Sequence, residues 1–358
     1  MNKMYLRKSI KPLASAVVTL LMCACQGSKT AGCQTIDPAI NQYTDSVLAC
    51  LKDEHHADSG LIMVVDTHTG YIMAASEVGC TDNDIMDNFR RNEYSCLEKV
   101  ATWLAALESG RITTGDTIDT YDGSCIVYGR ELNDMPESRH GRMTFHDAFV
   151  QQSNIATYKA ASLAYKNNVD SLTEGIRITG LNVPQKKYKD KSEIVWTSLG
   201  YGYKMSAWDM IEYINGIVNG GTMVKLMSVN GLVQVIQDKM AAPKNIRGIR
   251  NIFEDKENLK KLNLSDESPT GTICTVTTPQ GPKSVAEYKV ELCGYFPTDK
   301  PKYTIYICAY RQDVGELYDA VCNLYLKLMK YLSVLSVERP ETMQDALRYA
   351  MNLDDYER

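Results

Sequence analysis

The sequence predicts an α+β fold in which helices cover an antiparallel sheet and a helical insertion interrupts it. Three observations carry that expectation. Residues 60–76 set a β-branched run, Leu61-Ile62-Met63-Val64-Val65, against a second apolar run, Tyr71-Ile72-Met73-Ala74-Ala75, across an Asp-x-x-x-Gly turn, which is hairpin chemistry. Three more β runs, 273–277, 287–295 and 302–310, follow late in the chain, separated by Pro/Gly turns. Finally, Leu317, Val321, Leu324, Leu328 and Leu332 recur at helical spacing and predict an amphipathic helix over 315–332.

Taken in order, residues 1–25 read as a targeting segment. Lys3, Arg7, Lys8 and Lys11 precede a short apolar run, 14–22, that ends at Cys23-Ala24-Cys25-Gln26-Gly27-Ser28. A small residue before a cysteine resembles the bacterial lipoprotein signal, which implies lipidation at Cys25. Cys23 is a poorer alternative because Met22 precedes it, and an uncleaved anchor or an ordinary signal peptide are the plainer readings. Each of them puts the body outside the cytoplasm, tethered to a membrane or facing the cell exterior or periplasm. Residues 26–57 form a polar spacer and then a helix, with Ile40, Val47, Leu48 and Leu51 on one stripe. The main domain is expected over 58–333, with a tail over 334–358.

Within the insertion, Leu97, Val100, Ala101, Leu104 and Leu107 predict a helix over 95–109 that Gly110 stops. Gly- and Pro-rich loops follow. Residues 143–158 read as helix, loop, helix, with Thr144 as an N-cap. The segment 198–206, Ser-Leu-Gly-Tyr-Gly-Tyr-Lys-Met-Ser, precedes another helix and a Val218-Asn219-Gly220-Gly221 corner.

Composition narrows the function classes. The 358 residues suffice for one large domain or two small ones, and 44% hydrophobic with 23% charged content is ordinary for a globular chain. A net charge of -5 without a basic run argues against nucleic acid as a partner. Eleven cysteines are many for an exported protein, where oxidation favours pairing. Nine of them lie beyond the two in the signal, so at least one thiol is left over if the others pair. No Cys/His spacing fits zinc, and no nucleotide motif appears, so no metal and no cofactor are expected.

The chemistry-bearing segment is Glu93-Tyr94-Ser95-Cys96-Leu97-Glu98-Lys99, followed by Ala105-Ala106-Leu107-Glu108-Ser109-Gly110. It resembles the active-site helix of penicillin-binding protein transpeptidases, whose Ser-x-x-Lys places an acylated serine and a lysine on one helix face. The hairpin, the Gly-Tyr-Gly turn and the Asn-Gly-Gly corner resemble further landmarks of that family, from about residue 58 to about 333. The resemblance implies a transpeptidase-like (β-lactamase-like) fold and a role in peptidoglycan synthesis or remodelling.

Aligned this way, Cys96 stands at the nucleophile position and Lys99 at the lysine. A thiol at a helix N-terminus beside an ammonium is still able to attack a carbonyl. An inert relic kept for packing is the equal alternative. Ser95 is a weaker nucleophile candidate, because Glu98 rather than Lys99 stands three residues on. The second motif aligns as Gln152-Ser153-Asn154. Gln152 replaces a hydroxyl that relays a proton in the family, whereas Asn154 is able to bind a substrate amide or simply to cap a turn. The third, Lys-Thr-Gly in the family, aligns as Pro269-Thr270-Gly271-Thr272. Here the cation is lost, Thr270 and Thr272 keep hydroxyls for a carboxylate, and Gly271 lets substrate approach. All three segments are expected to line one cleft.

These substitutions suggest a catalytically impaired member that binds peptidoglycan stem peptide, weakly a β-lactam, or another wall-synthesis or division protein. The alternatives are a Cys96-dependent acyl transferase or hydrolase on stem peptides and, more weakly, a β-lactam sensor.

Overall fold

A computed structural model of the protein describes residues 34–81, 84–136, 138–264, 269–278, 287–313 and 315–336. Cys25 and the signal segment lie outside the described residues. The chain begins with helix α1 (Pro38–Asp53), capped by the Asp37 carboxylate on the amides of Ala39 and Ile40. The hairpin follows as β1 (Ser59–Asp66) and β2 (Ile72–Val78), its turn held by Asp66 accepting from the Thr69 amide at 2.9 Å and the Thr69 hydroxyl at 2.7 Å.

The insertion then runs through α2 (Ile85–Phe89), the short β3 (Asn92–Glu93) and α3 (Lys99–Glu108). Next come three short strands and one more, β4 (Thr117–Asp119), β5 (Ser124–Val127), β6 (Arg130–Asn133) and β7 (Arg142–Thr144). Helices α4 (Phe145–Val150), α5 (Asn154–Tyr165), α6 (Val169–Ile178) and α7 (Glu193–Ser198) lead to β8 (Met205–Ser206) and α8 (Ala207–Val218). Thr144 caps α4 as expected, its hydroxyl accepting from the Asp147 amide. The break before α5 falls at Gln152, whose φ of 56° is left-handed. Strands β9 (Met223–Val224) and β10 (Val235–Gln237) pair with each other, and α9 (Pro243–Phe253) and α10 (Lys256–Lys261) close the insertion.

Back in the sheet, β11 (Gly271–Thr277), β12 (Tyr288–Phe296) and β13 (Tyr303–Arg311) precede α11 (Leu317–Ser336). The five long strands order as β11-β12-β13-β1-β2, with antiparallel neighbours throughout. The pleat sends alternate side chains to opposite faces, so the sheet has two cores. One face, with Ile273, Cys293, Tyr295 and Tyr306, packs on the insertion. The other, with Cys274, Leu292, Ile305 and Ile307, packs on α1 and α11.

Helix α3 is the axis of the insertion: every residue from Lys99 to Leu107 is buried. Trp103 fixes it, stacking on Phe149 at 4.7 Å and donating its indole N–H to Thr157 at 2.9 Å. The eight described cysteines are all thiols, in contrast to the pairing expected from an oxidising compartment. In the sheet the register explains this: Cys293 lies opposite both Ile273 and Tyr306, and Cys308 opposite Leu61 and Glu291, so no cysteine faces another across strands.

Candidate active site

Cys96 opens a single 3₁₀ turn, Cys96–Glu98, that feeds directly into α3. Ser95 is its cap. The Ser95 hydroxyl accepts from the Leu97 amide at 3.2 Å and donates to Glu291 on β12 at 2.7 Å. That anchoring excludes Ser95 as the group facing Lys99 and leaves the position to Cys96. The Cys96 side chain is only 4% exposed.

Two groups enclose it. The Cys96 amide donates to the Thr277 hydroxyl at 3.1 Å, and the thiol contacts the Tyr201 hydroxyl at 3.6 Å. Thr278 lies beside the Tyr201 hydroxyl, and burial, then the nearby Cys96 sulfur, raises the Tyr201 pKa far above the ordinary phenol range. Tyr201 is the middle residue of the Gly-Tyr-Gly turn. Gly200 has φ 90°, and a Cβ there would stand 2.0 Å from the Ser95 carbonyl oxygen. Only glycine allows the turn to press onto the start of α3, and that approach delivers the Tyr201 ring to the thiol.

Lys99 lies one turn further along and is buried, so its pKa is lowered by desolvation, partly offset by Cys96 and Asp134. Its ammonium reaches the Gln152 carbonyl at 3.4 Å, and the Gln152 side-chain amide donates to the Cys274 carbonyl on β11 at 2.7 Å. Gln152 thus ties the insertion to the sheet edge at the position where the resemblance sets a hydroxyl in the family.

The other members of the second motif turn elsewhere. Ser153 is the buried cap of α5, donating to Asp134 at 2.7 Å and accepting from the Ala156 amide at 3.0 Å. Asn154 donates to the Asn133 carbonyl at 2.8 Å. These contacts are structural.

The third motif is the correction. Thr270, Gly271 and Thr272 do not join Cys96. They sit at the start of β11, and it is Thr277 and Thr278 at its end that touch the site. Six residue steps of strand separate Gly271 from Thr277, about 20 Å. The face is wrong as well for the two threonines. Thr270 donates to the Tyr295 carbonyl at 2.7 Å and shares a 2.6 Å hydrogen bond with Tyr325 of α11, and Thr272 donates to the Cys293 carbonyl at 3.1 Å. Gly271 faces the insertion, but a Cβ on it would stand 2.5 Å from the Tyr295 ring, so its role is close packing. The expected single cleft therefore reduces to Cys96, Lys99, Gln152, Tyr201 and the Thr277-Thr278 corner.

Beneath the thiol lies a buried ionic cluster. Lys289 pairs with Glu291 at 2.9 Å and Glu93 at 3.3 Å, and Tyr306 donates to Glu291 at 2.9 Å. Glu98 is fully buried nearby, with neither carboxyl oxygen in a well-formed hydrogen bond and the Tyr203 hydroxyl beside it. Burial, reinforced by the Glu291 charge, pushes Glu98 well above the carboxylate range. A cavity of about 530 Å³ lies at the other end of α3, among Glu108, Tyr165, Asp170, Glu174 and Ile178, away from the thiol. Among the described residues no group of three or more His, Cys, Asp or Glu is placed to hold a metal.

With this geometry in view, the comparisons with known proteins decide the family. The pattern described as the penicillin binding protein transpeptidase domain matches residues 60–318, most of the chain. The chain belongs to the penicillin-binding protein transpeptidase family. The transpeptidase domain of Burkholderia pseudomallei penicillin-binding protein 3 aligns with a TM-score of 0.72 at 17% identity, covering 86% of this chain and 98% of that one. A peptidoglycan glycosyltransferase from Burkholderia ambifaria gives 0.72 at 17%, covering 87% and 100%. Penicillin-binding protein 2X from Streptococcus thermophilus gives 0.69 at 14%, covering 84% and 51%. No curated protein matches the sequence. The penicillin-binding protein transpeptidase fold is thus present, and in this chain Cys96 lies within it against Tyr201 and Thr277.

Proposed function

We propose that this penicillin-binding protein transpeptidase homologue is a lipid-anchored envelope protein with a closed acyl site, acting by binding a wall peptide or a wall-synthesis protein rather than by transpeptidation. The body, residues 58–333, would stand outside the cytoplasm on a lipid at Cys25. One observation carries the reading: both groups that acyl transfer needs at Cys96 are already engaged. A thiol adding to a carbonyl requires room at sulfur and free N–H donors where the oxyanion develops. Here Tyr201 covers the sulfur with Thr278 beside its hydroxyl, while Thr277 takes the Cys96 amide. Gln152, in place of a hydroxyl, supplies no proton relay.

The Cys96–Lys99 spacing supports the second reading, a thiol acyl transferase or hydrolase that works after Tyr201 swings out. Intact-mass spectrometry separates the two. The wild type should take up no fluorescent β-lactam, and native Cys96 should alkylate slowly with iodoacetamide. Tyr201→Ala should raise that alkylation rate about tenfold or more, equivalent to about 1.4 kcal/mol of opening free energy. Ready acylation of the wild type by a β-lactam or a stem peptide, lost in Cys96→Ala, overturns the closed-site reading.

A further inference from the structure

The insertion carries one surface that neither core uses. Residues 229–236, Val-Asn-Gly-Leu-Val-Gln-Val-Ile, are all exposed, and none carries a charge. Five are aliphatic, and Leu232 is 90% exposed. The loop is held in this presentation. The Tyr71 hydroxyl donates to the Gly231 carbonyl at 2.5 Å and accepts from its amide at 3.3 Å, the Lys225 amide donates to the Gln234 carbonyl at 2.9 Å, and Val235 pairs with Val224. A fixed, contiguous aliphatic surface of this kind marks an interaction site.

Its position names the partner. The first described residues of the chain dock at the base of this loop. The Gln34 and Thr35 amides donate to the Ser228 carbonyl at 2.7 and 3.3 Å, and the Thr35 hydroxyl donates to the Ile72 and Met227 carbonyls at 2.8 and 3.2 Å. Nine residue steps lead from Cys25 to Gln34, a covalent reach of about 30 Å at full extension. A lipid on Cys25 therefore keeps the loop close to a bilayer. Exposed Lys225 and Lys239 flank the aliphatic stretch, with Asp238 the one acid between them, a pattern suited to anionic headgroups around an apolar tip.

We propose that residues 229–236 are a membrane-docking surface, with Val229, Leu232, Val233, Val235 and Ile236 entering the bilayer interface beside the anchor. This rests on the lipid-anchored reading above. It would also orient the body, because the loop lies against β2 at one sheet edge whereas Cys96 meets β11 at the other.

The test uses the full chain in vesicles containing phosphatidylglycerol and brominated acyl lipids. The indole of Leu232→Trp should lose most of its emission to the bromines, whereas that of Ile126→Trp, on the β5–β6 hairpin, should not. Fatty-acid-analogue labelling of the same preparations, with Cys25→Ala as control, reports the anchor separately. A labelled protein whose Leu232→Trp indole is not quenched overturns the docking surface and leaves the anchor standing. An unlabelled protein that is still quenched supports the surface and overturns the anchor. Shielding of the indole without quenching, in particles that double in mass with concentration, assigns the surface to a second copy and overturns the proposal.

Discussion

The two ends of β11 carry similar residues and do different work. At its start, the hydroxyls of Thr270 and Thr272 are tied to strand carbonyls and to Tyr325, so they serve the contact between sheet and terminal helix. At its end, Thr277 and Thr278 meet Cys96 and Tyr201, so they enclose the corner around the thiol. A threonine acquires its role from pleat and position on the strand, and the motif-like letters Pro-Thr-Gly-Thr fall on the wrong end. Both ends also use hydroxyls to satisfy buried polar groups, and an unmet buried donor or acceptor costs about 1–3 kcal/mol.

The contrast is most sharply tested at Gly271. If that glycine exists for packing on the Tyr295 ring, Gly271→Val should destabilise the protein by about 3 kcal/mol through overpacking, read by urea unfolding. Unchanged stability would return Gly271 to the substrate role that the sequence suggested.

A matched pair comes next. Thr277→Val strands the Cys96 amide and should cost about 1–3 kcal/mol while speeding alkylation of Cys96. Thr270→Val strands the Tyr325 hydroxyl instead and should cost about 1 kcal/mol, with the alkylation rate unchanged. Equal effects on Cys96 from both variants would erase the distinction between the two ends.

The smallest effect is a pH slope. Glu98, facing Glu291, Tyr203, Cys96 and Lys289, is held protonated by burial in the fold and ionises near its usual value of 4.5 when the chain unfolds. The folded state then binds more protons, so this contribution to stability is fully present below about pH 4.5 and is lost as pH rises toward the raised value. Glu98→Gln should flatten that decline in melting temperature between pH 5 and pH 8. An unaltered slope would assign the pH dependence to the other members of the cluster.

The sequence by itself determined the fold, because periodicity records it locally. The alternating runs became β1, β2, β11, β12 and β13, the heptad-like leucines became α11, and the helix expected over 95–109 became α3, although its first turn, Cys96–Glu98, is 3₁₀ rather than α. It also determined that Cys96 and Lys99 share a helix face, since spacing along a helix fixes angle. Tertiary structure alone decided the rest of the site. Thr277 and Cys96 are 181 residues apart and Tyr201 and Cys96 are 105 apart, and no local pattern encodes which residue packing brings to a thiol. The one signal was the Gly-Tyr-Gly turn, whose glycines mark a close approach without saying to what. Likewise the sequence offered Thr270, Gly271 and Thr272 alone, and only the placement of β11 on β12, with its alternating faces, put Thr277 at the thiol instead.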